Sequence, residues 1–301
     1  MTAVSEHRGS ARRASVPAVV EAARPRQWLK NVVVVAAPVA AGAVTGRGAL
    51  IRLVIAVVAF CCAASGTYLL NDAWDAAQDR AHPRKRSRPV ASGRLGMLDA
   101  EAAGVALLVV GITVAALASR ELAMVVVGYV VLTTAYSTWL KREPVVDVVA
   151  LATGFVLRAI GGAVAVGVAL DGPLLATVGF GALLVGVGKR LGEQRELGIG
   201  AAQHRGVLGL YPPVYLAQLM AVAMAGAIAA YWQWALASGG TNVGHGWVGA
   251  SILPWAVAVL RYGYLVARGG GGDPEALLLG DPVLGLAAAG AVVAALIGIY
   301  V

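Results

Sequence analysis

The chain has few charged residues, few aromatic residues and almost no cysteine. Charged residues make up 13% of its 301 residues and aromatic residues 6%, whereas 59% are hydrophobic and the mean hydropathy is +0.76. So little charge and so much apolar surface exclude a single soluble core and indicate a polytopic membrane protein. The only two cysteines, Cys61 and Cys62, are adjacent within an apolar run. A disulfide between neighbours is sterically disfavoured, so we interpret both as packing residues without a redox role.

Acidic residues are also scarce, with 16 Asp and Glu against 24 Lys and Arg and a net charge of +8. In a soluble domain this excess of positive charge would suggest nucleic-acid binding. In a membrane protein it first indicates which side of the membrane each connection occupies, so we expect no nucleic-acid partner. Most of the cations lie before the first apolar run or in every second connection after it, and the opposite side carries only Arg47, Arg52 and Arg120. Because positive residues gather on the cytoplasmic side, the N-terminus and every charged motif are predicted to be cytoplasmic.

The N-terminal stretch precedes any apolar run. Residues 1–17 are polar, contain several arginines and lack the compact apolar segment of a signal peptide. We expect residues 1–17 to form a disordered cytoplasmic tail and residues 18–301 to form a single transmembrane domain. Residues 19–31 give an amphipathic lead-in with Trp28 and several cations at the depth of the lipid headgroups.

Apolar runs of helical length fill the rest of the chain, and glycine and alanine are dense within them. A helix needs about 20 apolar residues to cross a bilayer, and small residues let membrane helices approach closely. The sequence therefore predicts an all-α membrane protein, a bundle of about nine transmembrane helices packed in the lipid bilayer. The predicted spans are about Val32–Thr45, Leu50–Leu70, Met97–Ala118, Leu122–Leu140, Val145–Val168, Leu174–Gly188, Val214–Leu236, Trp247–Val266 and Val283–Val301.

An acidic cluster directly follows the second predicted span, at Asn71, Asp72, Asp75 and Asp79. On a helix the three aspartates at i, i+3 and i+7 share one face, within roughly 60° of arc. Unpaired carboxylates repel one another, and Mg²⁺ removes that cost by binding carboxylates and substrate phosphates together. We interpret the cluster as a magnesium and phosphate site. The alternative is a solvated, charged loop between two apolar runs.

Cations come directly after the acidic cluster, and Lys85, Arg86 and Arg88 are predicted to hold the remaining phosphate oxygens. Most cations of the chain are arginines, so a lysine suggests that a compact point charge was needed instead of a planar fork. Each of the four charged cytoplasmic motifs contains one lysine, and we predict that these four converge on a ligand with several phosphates. They are Lys30, Lys85, Lys141 and Lys189.

Three further charged stretches lie on the same predicted side. Tyr136 and Lys141 precede Asp147, Lys189 and Arg190 precede Glu193 and Glu196, and Asp273 and Asp281 follow the eighth span. The two lysines could instead be interfacial anchors at helix ends. The last two aspartates could instead be turn residues or helix caps.

Two arginines, Arg158 and Arg261, lie inside predicted spans. A cation within a membrane span is a functional candidate by default. For Arg158 the sequence leaves two interpretations open. Its side chain either faces a central cavity or pairs structurally with Asp147 or a backbone carbonyl.

The pattern Asn71-Asp72-x-x-Asp75-x-x-x-Asp79 resembles the first aspartate motif of the UbiA superfamily of intramembrane prenyltransferases. That fold has nine helices around a central cavity open to the cytoplasm and to lipid. Further motifs resemble the branch that transfers phosphoribosyl groups to decaprenyl phosphate, and the resemblance runs from about Arg24 to the C-terminus. These motifs are Arg24-Pro-Arg-Gln-Trp-Leu-Lys-Asn31, His82-Pro-x-Lys85-Arg-x-Arg-Pro89, Gly154-Phe-Val-Leu-Arg158, Gly188-Lys-Arg190 and Gly272-Asp-Pro-Glu275.

The resemblance implies transfer of the 5-phosphoribosyl group from 5-phosphoribosyl 1-diphosphate to decaprenyl phosphate or a similar polyprenyl phosphate, a step toward cell-wall arabinan. It implies Mg²⁺ as the cofactor, held by Asn71 and the catalytic aspartates Asp72, Asp75 and Asp79. It also implies a location in the plasma membrane and allows for a homo-oligomer. The substrate-binding residues that it implies are Lys30, Asn31, Tyr68, Asn71, Lys85, Arg86, Arg88, Tyr136, Lys141, Arg158, Lys189 and Arg190.

One departure from the superfamily lies after the sixth span. Most relatives carry a second aspartate motif there, whereas this chain has Lys189, Arg190, Glu193 and Glu196. A second fully acidic magnesium site is therefore not expected. The cations fit a phosphoribosyl donor, because its 5-phosphate is an anion that a simple prenyl diphosphate lacks.

Alternatives from other classes remain. A prenyltransferase acting on an aromatic or quinone ring would use Asp72 and Asp75 for a prenyl diphosphate. A transporter would need charges at mid-membrane on several spans and a hydropathy repeat, which the sequence does not have. A purely structural bundle is disfavoured by the cost of collecting so many charges on one face. His82 is the only histidine near the cluster, and its neighbour Pro83 favours a turn role over proton transfer.

Overall fold

The computed structural model describes residues 16–81, 85–197, 206–238 and 242–301, and within these ranges the chain is helical without a strand. The predicted all-α fold is confirmed. The α-helices are α1 Val16–Ala23, α2 Val33–Ala40, α3 Arg47–Trp74, α4 Ala76–Ala81, α5 Met97–Ala118, α6 Arg120–Thr138, α7 Val146–Val166, α8 Gly172–Leu197, α9 Gly206–Leu210, α10 Pro213–Ala237, α11 Asn242–Ala250, α12 Ile252–Ala267, α13 Pro274–Gly280 and α14 Pro282–Tyr300.

Eight helices of the described residues are long and apolar enough to cross a membrane. They correspond to the second to ninth predicted spans. The seventh of them runs through α11 and α12, which a single turn at Ser251 joins. The multi-pass membrane architecture expected from hydropathy is therefore present.

The first predicted span differs from the others because it is not one continuous helix. The chain leaves α1 at Arg24, whose φ of 55° is left-handed, and enters a 3₁₀-helix over Pro25–Val32 before α2. Proline at the first position of a helix fits its fixed φ, and Pro38 disturbs α2 by removing a backbone donor. α1 begins at Val16, so the last two residues of the tail expected at 1–17 are helical, whereas residues 1–15 lie outside the described ranges and their part of that expectation stays a prediction.

Glycines allow two pairs of helices, α3 with α5 and α7 with α2, to touch. A Cβ atom on Gly66 would lie 2.7 Å from the carbonyl oxygen of Gly104, so α3 and α5 meet backbone to backbone. On α7, a Cβ atom on Gly162 would lie only 1.7 Å from the carbonyl oxygen of Val34. Such contacts are typical of membrane helices packed through small residues. The second one seats α2, and with it the preceding 3₁₀-helix, against the core of the bundle.

A glycine loop also packs against the C-terminal part of α8. A Cβ atom on Gly192 would lie 2.4 Å from the backbone nitrogen of Gly272, and one on Gly271 would lie 2.5 Å from the carbonyl oxygen of Gly188. Gly271 has a φ of 108°, a region that side chains rarely adopt. The loop after α12 therefore lies directly on the segment of α8 that carries Lys189 and Arg190.

Candidate functional site

A cavity of about 350 Å³ lies between the 3₁₀-helix over Pro25–Val32, α3, α6 and α7. Of the residues that the structure describes, six cations but only one carboxylate, that of Asp75, line it. Polar side chains from α3 and α6 complete the wall beside apolar ones from α7. The lining residues are Arg24, Lys30, Thr67, Tyr68, Asn71, Asp75, Lys85, Arg88, Tyr129, Leu132, Thr133, Tyr136, Ser137, Lys141, Ala150, Leu151, Gly154, Phe155 and Arg158.

Three of the four predicted lysines, Lys30, Lys85 and Lys141, meet in this cavity. The fourth, Lys189, is exposed and outside the lining. Its charge still acts on Lys30. Burial first, then repulsion from Lys189 and Arg158, lowers the pKa of Lys30 below its usual range. The lysines therefore form one electrostatic group at the cavity and its edge.

The acidic cluster stays helical through the end of α3, although the helix is interrupted at Asp75. Backbone bonds of helical spacing continue across the break, from the Asp75 N–H to the Asn71 carbonyl at 2.9 Å and from the Asp79 N–H to the Asp75 carbonyl at 2.8 Å. The predicted spacing of the aspartates is thus largely kept. Their side chains, however, turn to different partners.

Asp72 and Asp79 are buried and share Arg88. The Arg88 guanidinium donates to Asp79 at 2.7 Å and to Asp72 at 3.2 Å, and Arg24 donates to Asp72 at 2.5 Å. The Nζ atom of Lys85 lies 3.9 Å from Asp79. Buried carboxylates need such partners, because an unpaired charge away from water costs several kcal/mol.

The carboxylate oxygens of Asp72 and Asp75 fit a bound cation, although the three aspartate side chains do not meet at one point. No group of three acidic, His or Cys side chains among the described residues could hold a metal ion together. The Oδ2 atom of Asp72 is nevertheless buried without a hydrogen-bond partner, and Asp75 opens into the cavity. Mg²⁺ usually binds one or two protein carboxylates and completes its shell with water and substrate phosphates. An unpartnered oxygen on Asp72 next to the carboxylate of Asp75, which lines the cavity, suits that mode of binding.

Arg158 has both of the roles that the sequence left open. It lines the cavity, and it is 5% exposed. Its guanidinium donates to Asn31 Oδ1 at 2.8 Å, to the Tyr129 hydroxyl at 2.8 Å and to the carbonyl oxygen of Gly154 at 3.0 Å. Asn31 does not line the cavity but orients Arg158 through its hydrogen bond, and Asp147 is not a partner of Arg158. The arginine is fixed before any ligand arrives.

Arg190 differs from the prediction that it binds substrate. It is 1% exposed and outside the cavity lining. Its guanidinium donates to Asp147 at 2.8 Å, to Glu193 at 3.1 Å and to the Tyr136 hydroxyl at 3.4 Å. An arginine at the end of α8 is held inside the bundle because Asp147 lies on the facing helix α7.

Several other predicted residues lie away from the cavity. Arg86 is exposed and outside the lining, and His82 falls outside the described residues. Asp273 caps α13, and Asp281 caps α14 and pairs with Arg261 at 2.7 Å. The alternative interpretation of the two aspartates as helix caps is confirmed.

Sequence reasoning missed part of the cavity wall. Arg24 was noted within a motif but not as a site residue, and a left-handed turn now brings it onto Asp72. Tyr129 and Phe155 lie inside predicted spans, where an aromatic residue gives no functional signal. Both rings face the Arg158 guanidinium, at 4.6 and 5.1 Å from ring centre to Cζ.

Comparison with known proteins agrees with this architecture. Residues 32–278 match the model of the UbiA prenyltransferase family. The chain is 37% identical to decaprenyl-phosphate phosphoribosyltransferase of Corynebacterium glutamicum, over 94% of this chain and 87% of the relative. It is 36% identical to the enzyme of that name from Mycobacterium tuberculosis, over 91% of each chain.

The fold also matches solved structures. A UbiA homologue from Archaeoglobus fulgidus bound to DMAPP and Mg²⁺ superimposes with a TM-score of 0.72 at 18% identity, over 94% of this chain and 99% of that one. At this identity the likeness concerns the fold alone.

Proposed function

The chain belongs to the UbiA prenyltransferase family, and from this we propose that it transfers the 5-phosphoribosyl group of 5-phosphoribosyl 1-diphosphate to decaprenyl phosphate or a similar polyprenyl phosphate. The names of its relatives from Corynebacterium glutamicum and Mycobacterium tuberculosis support this branch of the family. Release of diphosphate accompanies the transfer, and the product leads toward cell-wall arabinan.

The observation that carries the proposal is the charge of the cavity. Among the described residues that line this cavity of about 350 Å³, six are cations and one is a carboxylate. A prenyl diphosphate brings a single diphosphate to such a site, whereas the phosphoribosyl donor adds a second phosphate group of about −1.5 to −2 charges. The excess of cations in the cavity matches the donor with more phosphate.

The residues of the cavity bind and orient the donor. Lys30, Lys85 and Lys141 provide point charges for phosphate oxygens, and Arg158 enters the site already fixed by Asn31 and Tyr129. Because these cationic side chains are already in place, little energy is spent on reorienting them when negative charge moves onto the leaving diphosphate. The lipid phosphate oxygen forms a bond to ribose C1 while the bond from C1 to the diphosphate oxygen breaks, and that electron pair leaves with diphosphate.

Mg²⁺ is part of the proposal. Asp72 and Asp75, with Asn71 and Asp79 beside them, are the residues that would hold it. When bound, it would neutralise charge on the diphosphate.

No strong general base is required for this reaction. A phosphate monoester has a second pKa of about 6, so the lipid phosphate arrives largely ionised.

The site is proposed to face the cytoplasm from the plasma membrane. The distribution of cations along the sequence supports this side, because the N-terminal segment and the connections that supply Lys30, Lys85 and Lys141 to the cavity are the cation-rich ones. A polyprenyl phosphate cannot leave the bilayer at about 0.8 kcal/mol per exposed CH₂, so the acceptor reaches ribose C1 from the lipid side. A homo-oligomer remains compatible with this arrangement.

Membranes that contain the chain provide the test. They are incubated with labelled 5-phosphoribosyl 1-diphosphate, Mg²⁺ and polyprenyl phosphate and then extracted into organic solvent. Label in the lipid fraction, dependent on polyprenyl phosphate, is the expected result. Labelling from a prenyl diphosphate onto an aromatic acceptor, with none from the phosphoribosyl donor, would overturn the proposal and favour ordinary prenyl transfer.

A further inference from the structure

A cluster of polar side chains, most of them buried, lies beside the cavity and reaches it only through Tyr136. It joins four segments of the chain through Asp147 on α7, Arg190 on α8, Tyr136 on α6 and Tyr211 between α9 and α10. Asp147 is fully buried, and Tyr211 is 2% exposed. The Tyr211 hydroxyl donates to Asp147 Oδ1 at 2.5 Å, and the Arg190 guanidinium donates to Oδ2 at 2.8 Å.

The Tyr211 hydroxyl also accepts a hydrogen bond from the Val145 N–H at 2.5 Å. Val145 has a φ of 69°, a conformation that a β-branched residue rarely adopts. Such strain persists only where the surroundings enforce it, and it concentrates at functional sites. Tyr211 and Asp147 therefore hold the α6–α7 turn, residues 139–145, in a shape it would otherwise leave.

The α6–α7 turn carries Lys141 into the cavity. Lys141 lies four positions before Val145, and its Nζ atom reaches Asp75 at 3.1 Å. On the last turn of α6, just before the α6–α7 turn begins, Tyr136 lines the cavity and receives the Arg190 hydrogen bond at 3.4 Å. Both ends of the turn are thus tied to the same buried carboxylate, that of Asp147.

We propose that Tyr211 is a positioning residue for the donor site, which acts by clamping the α6–α7 turn so that Lys141 points at the phosphates of the donor. The inference rests on the proposed function, because it assigns Lys141 to the phosphoribosyl donor. Tyr211 itself touches no part of the cavity. It lies 66 residues from Val145 in sequence, so no local pattern points to the link.

The Tyr211 hydroxyl can donate one hydrogen bond and accept another at the same time, as long as it stays protonated. Burial, and then the hydrogen bond to Asp147, raises the pKa of Tyr211, so the phenol keeps its proton throughout the physiological range. It can therefore donate to the carboxylate and accept from the backbone at once. Phenylalanine keeps the ring and removes both bonds.

The test is Tyr211→Phe in the full chain, compared with Tyr231→Phe. Tyr231 is also buried, and its hydroxyl is hydrogen-bonded to Ser251 at 2.7 Å, but it lies far from the cavity lining. With Tyr211→Phe we expect the KM for the donor to rise about tenfold, the effect of one charge-assisted contact, while the KM for polyprenyl phosphate stays unchanged. Tyr231→Phe should leave both values unchanged.

Two further variants separate positioning from a general structural role. In a Lys141→Ala background, Tyr211→Phe should raise the donor KM no further, because the residue through which it acts is gone. In the Tyr211→Phe background, Val145→Gly should lower the donor KM again, because glycine adopts a positive φ without a clamp. Additive effects in the first pair, or no recovery in the second, would overturn the inference.

A readout independent of activity keeps this inference distinct from the proposed function. Trypsin cleavage after Lys141 or Arg142 in detergent, mapped by mass spectrometry, reports release of the α6–α7 turn. We expect faster cleavage with Tyr211→Phe than with the wild type or Tyr231→Phe when each is digested at the same interval below its own melting temperature, because loss of the bond to the buried Asp147 also lowers stability. Equal cleavage would overturn the clamp whatever reaction is catalysed. Faster cleavage in a chain that transfers no phosphoribosyl group would refute only the proposed function.

Discussion

The Nζ atom of Lys141 lies 3.1 Å from a carboxylate oxygen of Asp75, 66 residues earlier in the chain. Both side chains line the cavity, and each is 26% exposed. An ion pair with this exposure contributes about 0–1 kcal/mol to stability, so it is not what holds α3 to the α6–α7 turn. The pair is better understood as a cation that can exchange its partner for a phosphate and a carboxylate that can exchange its partner for Mg²⁺.

Removal of Lys141 should therefore affect substrate more than fold. Lys141→Ala is expected to weaken donor binding ten- to a hundredfold, since a charge-assisted contact contributes about 1.5–3 kcal/mol. The melting temperature should hardly change. Arg142→Ala is the matched control, because Arg142 is the exposed neighbour of Lys141 outside the cavity lining. Equal losses of donor affinity in the two variants would indicate a general charge effect instead of a contact.

Loss of the metal ligands should change the dependence on magnesium. EDTA is expected to abolish lipid labelling and added Mg²⁺ to restore it. Asp75→Asn keeps the shape of the side chain but removes its charge, so the Mg²⁺ concentration for half-maximal activity should rise about tenfold or more. Titration of the rate with Mg²⁺ measures this. Full activity of the wild type in EDTA would refute a role for the metal.

Asp72 requires a gentler substitution than Asp75. It is 1% exposed and bonded to Arg24 and Arg88, so Asp72→Ala would leave two cations without their partner and destabilise the fold. Asp72→Asn should keep the protein folded and still abolish labelling. A folded, fully active Asp72→Asn variant would contradict the interpretation of the cluster as the phosphate site.

The contact of α2 with α7 gives a prediction on stability. A Cβ atom on Gly162 would meet the Val34 carbonyl oxygen at 1.7 Å, and overpacking costs about 1–3 kcal/mol. Gly162→Ala should therefore lower the melting temperature by several degrees and weaken the donor site, since α2 follows Lys30. Gly128→Ala is the control, because no atom lies within 4 Å of its Cβ position. Equal melting temperatures of the two variants would exclude the close approach.

Local patterns were enough to predict most of the architecture and half of the site. Hydropathy located eight of the spans, because length and apolar content alone make a membrane helix. The caps Asp273 and Asp281 were also within reach, since an aspartate before a proline and an apolar run satisfies the first backbone donors of a helix. The three lysines of the cavity were found because they stand out in a sequence rich in arginine.

Ion pairs between residues far apart in the chain could not be predicted from the sequence. Arg190 follows a lysine within a motif, and only the packing of α8 on α7 turns it away from the cavity and onto Asp147. Arg24 lies 48 residues before its partner Asp72, and a left-handed turn at Arg24 itself makes the contact. A helical face predicts which residues share a side, but not which of them find partners on another helix.

The last prediction concerns the pH dependence of donor binding. Burial lowers the pKa of Lys30, and repulsion from Lys189 and Arg158 lowers it further. A phosphate binds the charged form of Lys30. As the pH rises through the lowered pKa, the free protein loses that charge, binding must first take up a proton, and the donor KM rises.

Lys189→Ala removes one of the repelling cations. The pKa of Lys30 should then move back up, so the alkaline rise of the donor KM should begin at a higher pH than in the wild type. Arg142→Ala should leave it where it was. The measurement is the donor KM between about pH 7 and 10, where the phosphates, with a second pKa of about 6, no longer titrate. An alkaline rise that stays in place with Lys189→Ala, or moves to lower pH, would separate Lys189 from Lys30 and remove it from the donor site.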